Sequence, residues 1–254
     1  METSGERTQR LIEEMENSPG YRFIRARDLH KSSGYAFTEN GRVLIEALKS
    51  FRDYIAFPGL DEQAETNRQH REILRHFQNF VTSALALVEA SRNWKKELQV
   101  RCPAFIAEYD ARVASEFLGS VDHLLIQDLR NYMSHYRLPL SASQGTFTLK
   151  LSLQDDEQNN EMEWAVVLDL LELRQWSNWR PEPRAYLASC SDDINLLTIV
   201  EPYHKRVVSF YDWFYQRLEE LHAADIAESV KRHEELNAPS AFQLAKENPP
   251  LEPE

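Results

Sequence analysis

Glycine is scarce in this chain, with 7 among 254 residues. Leu, Glu, Arg and Ala are plentiful, so helix is the default expectation. Cysteine is nearly absent: Cys102 and Cys190 offer neither a CxxC metal pair nor a disulfide framework. No apolar run approaches the roughly 20 residues needed to span a bilayer. The opening "METSGERTQRLIEEMENSPG" lacks the basic-then-apolar order of a signal peptide. A soluble, cytoplasmic protein is expected. Positive charge is also short, since the net charge is −12. Phosphate contacts dominate nucleic-acid affinity, so a chain this acidic is a poor fit to non-specific binding along its whole surface. A local basic pocket remains compatible with the balance.

What is present describes an ordinary globular protein. Apolar residues make up 42% and charged residues 28%, and the length suffices for one large domain or two small ones. Residues 38–57, "TENGRVLIEALKSFRDYIAF", repeat apolar residues at helical spacing, with Thr38 placed as a cap and Pro58 as a stop. A longer helix is predicted over 65–98, with Ile73, Phe77, Phe80, Val81, Leu85 and Val88 on one stripe. Pro103 opens the next helix, Gly119 punctuates, and Ser120 caps a further helix that Pro139 ends. The period then changes from helix to strand. "GTFTLKLSL", 145–153, alternates Phe147, Leu149, Leu151 and Leu153 with polar residues. "MEWAVVLDL", 162–170, can pair with it across "QDDEQNN". Helix returns with "LLELRQWSNW" and "PEPRAYLASC", and a last long helix runs from about Asp192 to Asn237, with Pro202 near its start. The expected fold is therefore mainly all-α: an antiparallel helical bundle with an inserted two-stranded β-hairpin at about 145–170. One domain spans 1–237, followed by a proline-rich acidic tail at 238–254.

The stretch "LLIQDLRNYMSHYRLPL", 124–140, concentrates chemistry on the helix after Ser120. Val121, Leu125, Leu129, Tyr132 and Tyr136 share the stripe expected to face the core. Asp128, Asn131 and His135 form an adjacent polar stripe, and Arg130 and Ser134 lie further round. At about 100° per residue, Arg130 and His135 stand about 140° apart and flank an exposed face. Such a cluster also suits an ordinary solvated face, and that alternative stays open. Cleaving RNA without a metal needs a group to take the 2′-hydroxyl proton or to protonate the leaving oxygen. Histidine does either near neutrality. Arginine's fork of donors suits the growing phosphorane charge. Asn131, four residues before His135, can hold the ribose or orient the imidazole.

"RNYMSH", 130–135, resembles the Arg–polar–three to five residues–His signature of HEPN domains, helical proteins many of which are ribonucleases. The resemblance implies catalytic roles for Arg130, Asn131 and His135, over residues 38–138 plus the long C-terminal helix. The surrounding Tyr132, Ser134, Tyr136 and Arg137 are candidate substrate-binding residues, and a neighbouring tyrosine can stack on a base. It further implies a homodimer that joins two motifs in one cleft, an RNA substrate, no metal or other cofactor, and a toxin–antitoxin or antiviral defence setting with an antitoxin or other regulatory protein. A sub-branch of the family carries a modifiable tyrosine two places after the histidine; Arg137 stands there in this chain. HEPN-like folds without nuclease activity leave a dimerisation, nucleotide-binding or protein-binding module as the first alternative.

Other signals are weaker. "EPYH", Glu201 to His204, has the spacing of a di-iron ligand pair and supports a helical metalloenzyme as a second alternative, but no second copy accompanies it. His70 and His76 are out of phase for a metal pair. Cys102, before Pro103, suits a structural role better than a reactive one. "WSNWRPEPR", 176–184, reads either as an aromatic–basic nucleic-acid surface or as tryptophans packed beneath the hairpin.

Overall fold

Helices α1 (Ser4–Glu16), α2 (Pro19–Tyr54), α3 (Gln63–Arg101), α4 (Pro103–Glu116) and α5 (Val121–His135) lead to strands β1 (Ser141–Thr148) and β2 (Glu161–Leu168). Then follow α6 (Leu170–Gln175), α7 (Pro181–Ser189), β3 (Ile194–Asn195), α8 (Leu196–Leu221) and α9 (Ala223–Asn237). The computed structural model describes residues 3–54, 63–139, 141–148 and 161–237. The expected stop at Pro58, the strand positions Leu149, Leu151 and Leu153, the connection "QDDEQNN" and the tail 238–254 lie outside them. The fold is mainly helical with an inserted antiparallel hairpin, as the periodicity predicts. Among the described residues no helix is long and apolar enough to cross a membrane. The chain divides into two compact units, Met1–Leu29 with Trp213–Glu254, and His30–Asp212.

In the first unit, Thr3 and Glu6 cap α1 reciprocally: the Thr3 hydroxyl accepts from the Glu6 N–H and the Glu6 carboxylate accepts from the Thr3 N–H. Ser18 then starts α2, its hydroxyl accepting from the Tyr21 N–H at 3.3 Å, with Pro19 as the first helical residue. Phe23 stacks on His222 with ring centroids 4.3 Å apart. Gly20 permits the closest approach, because a Cβ there would lie 2.0 Å from the Asp225 carbonyl oxygen of α9.

In the second unit, α2 continues through Thr38, which is mid-helix and not a cap. Phe37 is buried, with its ring 5.2 Å from Phe80 and 6.2 Å from Tyr203, and the Thr38 carbonyl accepts from His204 Nε2 at 3.1 Å. Tertiary contacts with α3 and α8 thus carry the helix past a local start signal. A Cβ at Gly41 would lie 2.2 Å from the His204 ring, so glycine lets α8 approach α2. On α3, Ile73, Phe77, Phe80 and Val81 are buried, while Leu85 and Val88 are half-buried. A buried polar cluster joins three helices: His30 Nε2 meets Ser91 Oγ at 2.9 Å, and Ser91 in turn meets the Tyr211 hydroxyl at 2.5 Å. Burial pushes the His30 imidazole down to about 4, so the ring is neutral.

Strand β1 starts at Ser141, earlier than the alternation indicates, and pairs antiparallel with β2 from Ser141↔Leu168 to Thr148↔Glu161. The two-residue strand β3 adds to β2 through Val167↔Asn195 and Leu168↔Ile194, extending the hairpin to three strands. The C-terminal helix begins at Leu196, passes through Pro202, and is interrupted once, at His222.

Candidate functional site

Gly119, with φ of +84°, turns the chain into α5. Ser120 precedes the helix, but its hydroxyl makes no capping bond; it donates to Asp122 and accepts from Arg206. Leu125, Ile126, Leu129 and Tyr132 are buried, Val121 is half-buried, and Tyr136 is exposed. The apolar stripe therefore stops one turn before the helix ends.

Asp128 departs from expectation. It is buried at 2% exposure and does not join an exposed polar stripe. Its Oδ1 accepts from Arg180 Nε at 2.7 Å and its Oδ2 from the Arg180 backbone N–H at 2.9 Å. The same guanidinium donates to Gln127 Oε1 at 2.9 Å and to the Leu124 carbonyl at 2.6 Å. Arg180, just before Pro181 opens α7, thus ties α7 to one side of α5. Asp128 is therefore engaged within its own chain. The lock also fixes a neighbour. Since a guanidinium only donates, the Gln127 oxygen faces Arg180, and its NH2 group donates to His123 Nε2 at 2.8 Å. Burial pushes His123 down to about 4, so the neutral ring carries its proton on Nδ1.

Tyr132 is likewise not a surface group. It is fully buried, stacked on Trp179 at 5.9 Å and edge-on to Trp176 at 5.5 Å. Its hydroxyl donates to the buried Glu172 carboxylate at 2.6 Å. Burial, then the Glu172 hydrogen bond, pushes the phenol up to about 12. A base cannot stack on a ring so enclosed, and the expected substrate-binding role of Tyr132 is replaced by packing. The same contacts decide segment 176–184: both tryptophans are buried, with Trp179 Nε1 donating to the Leu173 carbonyl at 2.7 Å, so they fill the core. Arg137, the last of this group, pairs with Glu172 at 2.5 Å and lies over the Tyr136 ring.

The remaining motif residues are accessible. Asn131, Ser134, His135, Tyr136 and Arg137 are exposed and Arg130 is half-buried. Arg130 Nη1 donates to Asn131 Oδ1 at 3.1 Å, so Asn131 orients the arginine and not the histidine. Among the described residues Arg130 pairs with no carboxylate, and the His135 imidazole makes no hydrogen bond. Arg130 and Asn131 line a cavity of about 460 Å³ whose wall also includes Arg92, Arg180 and Asn178. His135 lies beyond it, in the last turn of α5. Along one helix, five residues separate the two groups by a rise of about 7–8 Å and a rotation of about 140°.

The competing metal reading loses its ligands to other partners. Glu201 pairs with Lys49 at 2.6 Å, and His204 donates to the Thr38 carbonyl. Among the described residues no three His, Cys, Asp or Glu side chains are grouped to hold a metal ion. His70 packs edge-on to Phe51, His76 stands beside Arg75, and both cysteines are half-buried and outside any disulfide among the described residues. Arg180 and Glu172 were not singled out from the sequence; the Arg-Pro step before α7 is the one local hint for Arg180. No family model matches the chain, and no curated protein or solved structure matches it.

Proposed function

We propose that the unit His30–Asp212 is a metal-independent endoribonuclease of HEPN type that works as a homodimer. The observation that carries this reading is the pair of accessible groups on α5, a guanidinium with no carboxylate partner and an imidazole with no hydrogen bond, held at the spacing of the RNYMSH motif. Arg130, steadied by Asn131, neutralises the phosphorane oxygens as negative charge grows on them. His135 takes the proton from the 2′-hydroxyl or gives one to the departing 5′-oxygen. The 2′-oxygen bonds to phosphorus as the bond to the 5′-oxygen breaks, leaving a 2′,3′-cyclic phosphate and a 5′-hydroxyl. One helix supplies one imidazole, and its arginine stands about 140° away round the axis. A two-fold axis beside residues 130–137 supplies the second imidazole and turns arginines of both copies towards one phosphate. The exposed Ser134, Tyr136 and Arg137 then form the rim that meets RNA. The defence setting, with a regulatory protein masking the cleft, belongs to the same proposal and rests on the motif resemblance.

Incubation with RNA in excess chelator tests the reading. Fragments ending in 2′,3′-cyclic phosphate, produced by a species with the mass of a dimer in light scattering, are expected. A requirement for a divalent metal, fragments ending in 3′-hydroxyl, or cleavage by a stable monomer would each defeat it.

A further inference from the structure

Two cavities adjoin beneath α5 in the unit His30–Asp212. The outer one, about 460 Å³, carries Arg130. The inner one, about 310 Å³, is walled mainly by apolar and aromatic side chains, among them Leu87, Val113, Phe117, Val207 and Phe210. Arg92, Gln127, Arg180 and Tyr203 belong to both walls, so the two cavities adjoin. Ligand sites are commonly built this way, apolar within and with a few placed polar groups.

Two features specify an occupant. The first is charge. Of the outer cavity's three arginines, Arg92 pairs with Glu89 at 2.5 Å and Arg180 with Asp128 at 2.7 Å. Arg130 is left with Asn131 alone, so the lining carries one uncompensated positive charge. The second is the Tyr203 hydroxyl. Among the described residues the Tyr203 hydroxyl makes no hydrogen bond, and the enclosed side-chain polar atom left without a partner is the neighbouring His123 Nδ1, which also lines the inner cavity. Burial holds that phenol in its protonated form, so it remains a donor.

We propose that the two adjoining cavities open into one another and together bind a small aromatic monoanion. Its planar body fills the inner cavity among the Phe117, Tyr203 and Phe210 rings, a carboxylate meets Arg130, and a polar atom at the junction satisfies the Tyr203 hydroxyl. At roughly 30 Å³ per water-sized group the inner cavity holds on the order of ten non-hydrogen atoms, about two fused rings. That volume and its apolar walls exclude a polynucleotide, so this ligand is distinct from the proposed RNA substrate and the inference does not rest on that activity.

Calorimetric titration of the full chain with 1-naphthoate tests the site, with neutral 1-naphthamide and aliphatic octanoate as controls. Saturable binding of one naphthoate per chain is expected. Replacing the acid by the amide, or Arg130→Gln, should each weaken it about tenfold or more, the scale of a lost hydrogen bond to a charged group. Tyr203→Phe keeps the ring packing and should weaken it about threefold or more. Absence of saturable binding, equal affinity for the amide or for octanoate, or unchanged affinity in a folded Arg130→Gln or Tyr203→Phe protein would overturn the proposal.

Discussion

Replacing Arg180 by methionine would leave the Asp128 carboxylate, 2% exposed, with one remaining donor in this contact, the backbone N–H of residue 180 at 2.9 Å. The methionine keeps part of the aliphatic stem in place, so the loss is chiefly electrostatic. Removing one member of a fully buried ion pair costs about 3–5 kcal/mol, because the other charge stays behind without compensation. Here the Arg180 side chain is 37% exposed, so water already screens the pair and the expected cost falls to about 2–4 kcal/mol. For a chain of this length that is a drop of about 5–15 °C in melting temperature. The contacts to Gln127 and the Leu124 carbonyl disappear with it, which loosens α7 from α5. Adding Asp128→Asn to Arg180→Met removes the stranded charge and should recover part of the loss, which thermal melts of the two variants would read. Arg10→Met, which breaks an exposed pair on α1, serves as a control and should leave the melt unchanged. If Arg180→Met melts with the parent, or if Asp128→Asn only adds to the damage, the buried charge is not what the arginine holds.

Two further perturbations probe packing and titration. Gly20→Ala places a methyl group 2.0 Å from the Asp225 carbonyl oxygen, a backbone atom, and should destabilise by about 1–3 kcal/mol in chemical denaturation; an unchanged midpoint would refute that close approach. Burial holds His30 and His123 down to about 4, below the ordinary 6.5, so both rings take up protons on unfolding. Their contribution is full above pH 6.5 and declines as pH falls from 6.5 towards 4, and His123→Phe should make the decline in melting temperature shallower; a flat profile across that window contradicts the neutral assignment.

Local signals served well where they coincide with burial. The apolar stripe of α3 and the Pro103 start of α4 were legible, because the spacing that makes a helix amphipathic is the spacing that packs it. The β1–β2 pair was legible from a period of two, although its short partner β3 was not: two residues hold too little pattern to read. Thr38 misled because a good capping residue can lie inside a helix when Phe37 on one side and Gly41 on the other are fixed by packing. The exposed positions Asn131 and His135 followed from the helical wheel. Asp128 did not, since its partner Arg180 comes from a distant segment, and no helical period reports a long-range ion pair. Tyr132 was placed correctly on the apolar stripe, yet its Glu172 partner was invisible for the same reason.

His135 is exposed, and its imidazole makes no hydrogen bond among the described residues. Its replacement by alanine should leave the melting temperature close to the parent's, as surface changes usually stay within about ±0.5 kcal/mol. The rate of RNA cleavage in excess chelator should fall by about 10²–10⁴, the scale of a lost general acid or base. A folded His135→Ala protein that cuts RNA as fast as the parent would contradict the account.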